Sequence, residues 1–100
     1  MSKNTANIDL TYLKKYLRIH KVFLFGSTLN PSVKKSRDVD MLVVSDSFHG
    51  VSNHKRREIV KACVDRKNLD PICLTIQEYE TMLHLPSDFA LSVLSNCREL

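Results

Sequence analysis

Apolar residues along the chain alternate between short continuous runs and helical repeats, which predicts a domain of strands and helices. Two strands are predicted over 21–25 and 39–44, because they contain the continuous apolar runs 22–25 and 41–44. Residues 42–44 are apolar on both faces, as in a central strand. A third strand is predicted over 69–74, and Pro71 indicates that this strand starts there or lies at a sheet edge.

Helical spacing of the remaining apolar residues predicts four helices. The first begins at Asn7 as a cap and places Leu10, Leu13 and Leu17 on one side. The second runs from a cap at Ser52 to about 67, the third covers 76–84, and the last covers about 87–96. Thr75 and Glu78 have the spacing of a capping box for the third helix. A further short helix could start at Ser27, with Pro31 limiting its length.

The second helix carries much of the positive charge of the chain. Its inward stripe is predicted to comprise Ile59, Val60, Cys63 and Val64, and its outward side Lys55, Arg56, Lys61 and Arg66. The order of elements predicts an α/β (α+β) fold, a small mixed β-sheet flanked by helices. The length of 100 residues predicts one domain, 1–100, with residues 1–6 disordered.

The net charge of +4 favours polyanionic partners, although a solvated helix face explains it equally well. A nucleic-acid-binding domain ranks last among the functions considered, because the tyrosines and phenylalanines mostly fall in apolar runs rather than between the basic residues of the second helix. Three cysteines without a CxxC pair predict buried, reduced thiols at Cys63 and Cys73. No signal peptide or long apolar run is present, so we expect a cytoplasmic protein without a membrane segment.

Three polar pieces stand next to the predicted strands. Asp38 and Asp40 alternate at the start of the second strand, so they face the same side, and Asp70 opens the third strand. Crowded carboxylates repel each other, and Mg²⁺ relieves that repulsion because it prefers hard oxygen ligands. Gly26 and Ser27 follow the first strand, where a tight turn and a helix start would offer N–H groups to a phosphate.

The combined pattern resembles the nucleotidyltransferase superfamily that includes DNA polymerase β, and within it the small stand-alone nucleotidyltransferase domains. The residues that carry the resemblance are VFLFGS, then DVDMLVV, the segment VVSDSFHGVSNHKRREIV, and LDPICLT, and it extends over about 8–98. The resemblance implies that Gly26 and Ser27 bind a nucleoside triphosphate, with ATP favoured. It also implies that Asp38 and Asp40 hold Mg²⁺, and that Asp70 ligates a second ion and helps to deprotonate an acceptor hydroxyl.

One position departs from the family pattern. Relatives commonly have a basic residue soon after Gly-Ser, whereas this chain has Thr28, Leu29 and Asn30. The cation that contacts the triphosphate would then come from another segment. The candidates are Lys34, Lys35, Arg37, Arg57 and Lys61, each of which is also consistent with a solvated basic surface.

Two functions from different classes therefore stay open. The first is a Mg²⁺-dependent nucleotidyltransferase that transfers a nucleoside monophosphate, AMP in the first instance, to a hydroxyl of a protein, an RNA or a small molecule. The second is a non-catalytic binding module with the same fold, an antitoxin-like partner of a helical protein. The resemblance implies a helical protein partner, encoded nearby, under either function.

Overall fold

Four strands form one mixed sheet in the computed structural model, which describes residues 8–25, 39–65, 68–84 and 97–100. The elements in chain order are α1 (Thr11–Tyr16), β1 (Ile19–Phe25), β2 (Val39–Ser45), a short 3-10 helix (Asp46–Phe48), α2 (Asn53–Cys63), β3 (Leu69–Leu74), α3 (Ile76–His84) and β4 (Cys97–Glu99). The strand order across the sheet is β3-β2-β1-β4. The predicted fold, a small mixed sheet flanked by helices, is confirmed.

The register of the sheet follows from the connections between strands. β1 runs antiparallel to both β2 and β4, whereas β2 runs parallel to β3 through a crossover that contains α2. β2 lies inside the sheet, and six of its seven residues are buried. Its continuous apolar run, unlike an alternating one, therefore predicted its central place correctly.

Each face of the sheet carries its own apolar core. One face packs against α1 and α2 and contains Leu13, Val22, Leu24, Val39, Met41, Val43, Phe48, Val60, Val64, Leu69 and Cys73. The other face packs against α3 and contains Phe23, Phe25, Leu42, Val44 and Tyr79. The rings of Phe23 and Tyr79 stack with their centroids 6.0 Å apart. Both faces of β2 are thus covered, because successive strand residues point to opposite sides.

The predicted helix signals are mostly confirmed, with shifted ends. Ser52 caps α2 by accepting a hydrogen bond from the backbone N–H of Lys55, and the capping box of α3 is present. The first helix begins at Thr11 rather than after Asn7. The Asp9 carboxylate accepts hydrogen bonds there from the Thr11 backbone and hydroxyl.

The predicted end of α2 needs correction, and one strand was missed. α2 ends at Cys63, several residues before 67, and no pattern in the sequence indicated β4 at Cys97–Glu99. β4 has only three residues, and its pairing with β1 joins parts of the chain that are distant in sequence. The helices expected at Ser27 and at 87–96, and the disordered segment 1–6, lie outside the described residues.

Arg56 is the largest departure from the predicted helix pattern. It was expected on the outward side of α2, but only 9% of its surface is exposed. Its guanidinium donates hydrogen bonds to the backbone oxygens of Val51 and Cys73 and to both carboxylate oxygens of Glu78, the shortest at 2.7 Å. It also lies 5.7 Å from the ring centroid of Phe48. The guanidinium can be buried because its N–H groups donate to these backbone and carboxylate oxygens.

Two cysteine predictions are tested by the described residues. Cys73 is buried and unpaired with any other sulphur, and burial raises the pKa of its thiol to about 11. Cys63 is a free thiol as well, but it is half-buried. Within the described ranges, no helix has the length and apolar character that crossing a membrane would require.

The two neighbouring arginines of α2 allow a matched test of this network. Arg56→Met should lower the free energy of unfolding by about 2 to 4 kcal/mol, because it leaves the Cys73 oxygen and Glu78 without their buried cation. Arg57→Met, one residue away and more exposed, should cost about 1 kcal/mol or less. Urea unfolding of both variants measures the difference, and equal losses would contradict a central role for Arg56.

A second test uses the pH dependence of stability. The hydrogen bond from Arg56, followed by that from the Thr75 N–H, lowers the pKa of Glu78 below its usual 4.5. A lowered pKa in the folded state stabilises the protein above the pKa of the unfolded chain, and this contribution is lost as the pH falls through the folded value. Glu78→Gln should therefore be less stable than the wild type at neutral pH, and the gap should narrow below pH 4.5. Parallel curves for the two proteins would show that the ion pair makes no contribution.

Candidate active site

Two of the predicted site carboxylates occupy matching positions on neighbouring strands. Asp40 is the second residue of β2, Asp70 is the second residue of β3, and the two are direct partners in the parallel register. Neighbouring strands lie about 5 Å apart, and residues in register point to the same face. The direction of Asp70 is thereby fixed toward the side of Asp40.

Both carboxylates lie at one end of an otherwise apolar face. Asp40 shares this face with Leu42 and Val44, and further along it is covered by Tyr79 of α3. Asp40 is half-buried, whereas the side chain of Asp70 is 51% exposed. The pair therefore stands where the core ends and solvent begins, which suits a site that takes up a charged ligand from water.

β1 ends at the same end of the sheet as the two carboxylates. Leu24 pairs with Met41, so the chain leaves β1 at Phe25, close to Asp40. Gly26 and Ser27 follow Phe25 directly in the sequence, and Asp38 precedes β2 by one residue. These three predicted site residues lie outside the described residues, so their roles stay predictions.

Arg57 brings a positive charge to the site. Its Nη1 donates to Asp70 Oδ1 at 3.1 Å and to the backbone oxygen of Pro71 at 2.7 Å. β3 lies at the edge of the sheet, so this oxygen has no strand partner on that side, and Arg57 supplies one. The cation also offsets part of the repulsion between Asp70 and Asp40.

The sequence missed this role because Arg57 and Asp70 lie 13 residues apart. The sequence analysis considered Arg57 only as a candidate triphosphate ligand on a solvated helix. The crossover connection could have indicated the contact, because a helix that joins two parallel strands packs back over the second strand. A cation on the side of α2 that faces β3 can therefore reach a carboxylate at the start of β3.

The described part of the site thus contains two carboxylates and one guanidinium. Across residues 8–25, 39–65, 68–84 and 97–100, no three His, Cys, Asp or Glu side chains come together as a group that could hold a metal ion. Asp40 and Asp70 nevertheless provide hard oxygen ligands from two adjacent strands. Such a pair suits Mg²⁺, which typically takes one or two protein carboxylates and completes its shell with water and phosphate oxygens.

Comparison with known proteins identifies a family. The family model described as "Polymerase beta, Nucleotidyltransferase" matches residues 8–93. A crystal structure of a putative nucleotidyltransferase from Sulfolobus solfataricus is 25% identical, with a TM-score of 0.49. The match covers 63% of this chain and 56% of that one, so the chain spans little more than half the length of that protein. No curated protein matches the chain in sequence.

Proposed function

The chain belongs to the polymerase β nucleotidyltransferase family, and we propose that it transfers a nucleoside monophosphate, AMP from ATP in the first instance, to a hydroxyl acceptor with Mg²⁺. The observation that carries this proposal is the in-register pairing of Asp40 and Asp70 at the end of the sheet where β2 and β3 begin and β1 ends. Two carboxylates beside a Gly-Ser turn meet the two needs of a bound Mg-triphosphate, ligands for the metal and N–H groups for the phosphates.

Each residue has a separate task in this proposal. Gly26 and Ser27 bind the triphosphate, Asp38 and Asp40 hold the metal that accompanies it, and Asp70 contributes to a second metal position. When bound, the two ions offset the charge of the phosphates and polarise the attacking and leaving oxygens. Asp70 is half exposed, so an acceptor hydroxyl can approach it from solvent and transfer its proton to the carboxylate.

Arg57 acts in this proposal as a positioning residue. Its hydrogen bonds to Asp70 and to the Pro71 oxygen fix the carboxylate at the strand edge before a ligand arrives. Since the guanidinium is already bound to Asp70, the cation that contacts the triphosphate comes from another residue, and Lys34, Lys35 and Arg37 precede Asp38 closely in sequence.

The acceptor and the partner belong to the same proposal. A protein, an RNA or a small molecule can each supply a hydroxyl, and a helical protein encoded nearby is the expected partner, in the cytoplasm. The alternative is a non-catalytic module of the same fold that acts as an antitoxin-like partner. The alternative predicts complex formation without nucleotide transfer, so a transfer assay distinguishes the two.

We expect Mg²⁺ and ATP together to raise the thermal midpoint, and either alone to do less. A ligand at 100 times its dissociation constant stabilises a protein by about 2.7 kcal/mol. Asp40→Asn should abolish this shift, because an amide is a poorer ligand for a hard cation. Asp70→Asn should keep most of the shift but lose transfer of labelled AMP, because its main contact is with the acceptor.

The controls for this experiment separate the site from the fold. Asp65→Asn removes an exposed carboxylate between α2 and β3 and should leave both binding and transfer unchanged. Retained transfer by Asp70→Asn would remove Asp70 from the catalytic residues. Binding without transfer by the wild type, tested with all four ribonucleotides and the helical partner, would favour the non-catalytic module.

Arg57→Gln tests the positioning role with an outcome that differs from that of a phosphate ligand. Because Asp70 mainly contacts the acceptor, losing the hydrogen bonds that hold its carboxylate should lower transfer of labelled AMP, by up to about fivefold for an exposed ion pair worth at most about 1 kcal/mol, and should leave Mg-ATP binding unchanged. Lys55→Gln removes the same charge from an exposed position on the same helix, is not among the candidate triphosphate ligands, and controls for long-range effects. Titration calorimetry measures binding by both variants, and weaker binding by Arg57→Gln alone would identify Arg57 as a triphosphate ligand instead.

A further inference from the structure

A groove of about 550 Å³ lies between the end of α1, the start of β1 and the last residues of the chain. Its lining runs along 14–22 and includes Glu99 and Leu100. A cavity of this volume is within the range of small-ligand sites. It lies outside the candidate active site, and neither Asp40 nor Asp70 lines it.

Positive charge dominates this groove. Four of its lining residues are cations, namely Lys14, Lys15, Arg18 and Lys21, and His20 stands among them. Glu99 is the acidic side chain among the described lining residues, and it pairs with Lys21 at 3.4 Å across an exposed contact. Lys14 and Lys15 lie in the last turn of α1, where the helix dipole favours them. The dipole does not account for Arg18 or Lys21, which lie beyond the helix.

An exposed aromatic ring stands beside these cations. Tyr16 lines the groove with 66% of its surface exposed, and Tyr12, one helical turn earlier, is 57% exposed. The sequence analysis considered aromatic residues only in relation to the basic second helix, and it did not single out these two tyrosines. They stay exposed because α1 has only six residues and buries Leu13 alone.

The backbone beneath the groove is held in place. The N–H of Arg18 donates to Ser47 Oγ at 3.0 Å, and the hydroxyl of Ser45 donates to the Arg18 oxygen at 2.9 Å. The register of β1 against β2 shifts between Ile19 and Lys21, next to this clamp. The basic side chains and the tyrosine ring therefore belong to a preorganised segment of backbone, which reduces the conformational entropy lost on binding.

The groove lies at the opposite end of β1 from the carboxylates. β1 spans seven residues, so its two ends are about 20 Å apart at about 3.4 Å per residue. A molecule bound here would not touch the metal or the triphosphate of the proposed reaction. The groove is therefore separate from the candidate active site.

We propose that this groove binds single-stranded nucleic acid, with backbone phosphates on Lys15, Arg18 and Lys21 and a base stacked on Tyr16. Basic grooves that follow a phosphate backbone, combined with exposed rings that stack on bases, are the physical basis of single-strand binding without sequence preference. An acidic protein would use the cations but would have no need for an exposed ring between them. The net charge of +4 suits a polyanion that approaches this end of the sheet.

The test uses the full chain in EDTA, without nucleotide, so that it is independent of the proposed transfer reaction. Fluorescence anisotropy with a labelled oligouridylate of about eight nucleotides measures the affinity over a range of salt concentrations. Tyr16→Leu should weaken binding by roughly tenfold, and Tyr16→Phe, which keeps the ring, should bind like the wild type. Lys15→Gln should reduce the slope of log affinity against log salt by about 0.7, the value for one phosphate contact on a single strand.

Matched controls decide between the alternatives. Lys55→Gln removes an exposed cation of α2 that does not line the groove, and it should leave the salt slope unchanged. Both Tyr16 variants change an exposed side chain, so their thermal midpoints should equal that of the wild type. Equal binding by Tyr16→Leu and Tyr16→Phe would overturn the proposal, because the ring would play no part. Polyglutamate that binds as tightly as the oligonucleotide, with the same response to Lys15→Gln, would indicate a surface for an acidic protein and also overturn it.

Discussion

The guanidinium of Arg56 joins more separate elements than any other contact described above. It belongs to α2, and it binds the loop before that helix at Val51, the edge strand β3 at Cys73 and the first turn of α3 at Glu78. Glu78 is also the capping-box residue that accepts from the Thr75 N–H. A helix on one face of the sheet and a helix on the other are thus joined around the edge through one buried cation, whose desolvation is offset by its hydrogen bonds.

The same edge of the sheet carries the candidate chemistry. Arg56 and Arg57 each bind an outward backbone oxygen of β3, those of Cys73 and Pro71. These contacts cover an edge that would otherwise present unpaired acceptors. They also fix the position of α2 along β3, while the parallel pairing of β3 with β2 brings Asp70 beside Asp40. Arg56, with its structural role, and Arg57, with its proposed positioning role, therefore act on the same edge strand, β3.

The two ends of the sheet differ in chemistry. At one end, two carboxylates stand where β2 and β3 begin, and their negative charge suits a divalent cation. At the other end, the cations of α1 and β1 surround an exposed ring. Separation along one rigid strand allows opposite charges to persist without neutralising each other, because at about 20 Å exposed charges are largely screened. The proposed reaction and the proposed binding of single-stranded nucleic acid therefore depend on different residues.

The sequence by itself determined the local features of this protein. The apolar runs located β1, β2 and β3, and the caps located the starts of α2 and α3. That Asp38 and Asp40 form a metal-binding pair stays a prediction from their alternation. These signals are readable because each depends on neighbours a few residues away. Only the tertiary structure decided that Asp70 pairs with Asp40, that Arg56 is buried, that β4 joins the sheet and that Tyr16 stays exposed in a basic groove. Each of these depends on which distant segments pack together, and the pattern within a single segment does not encode that choice.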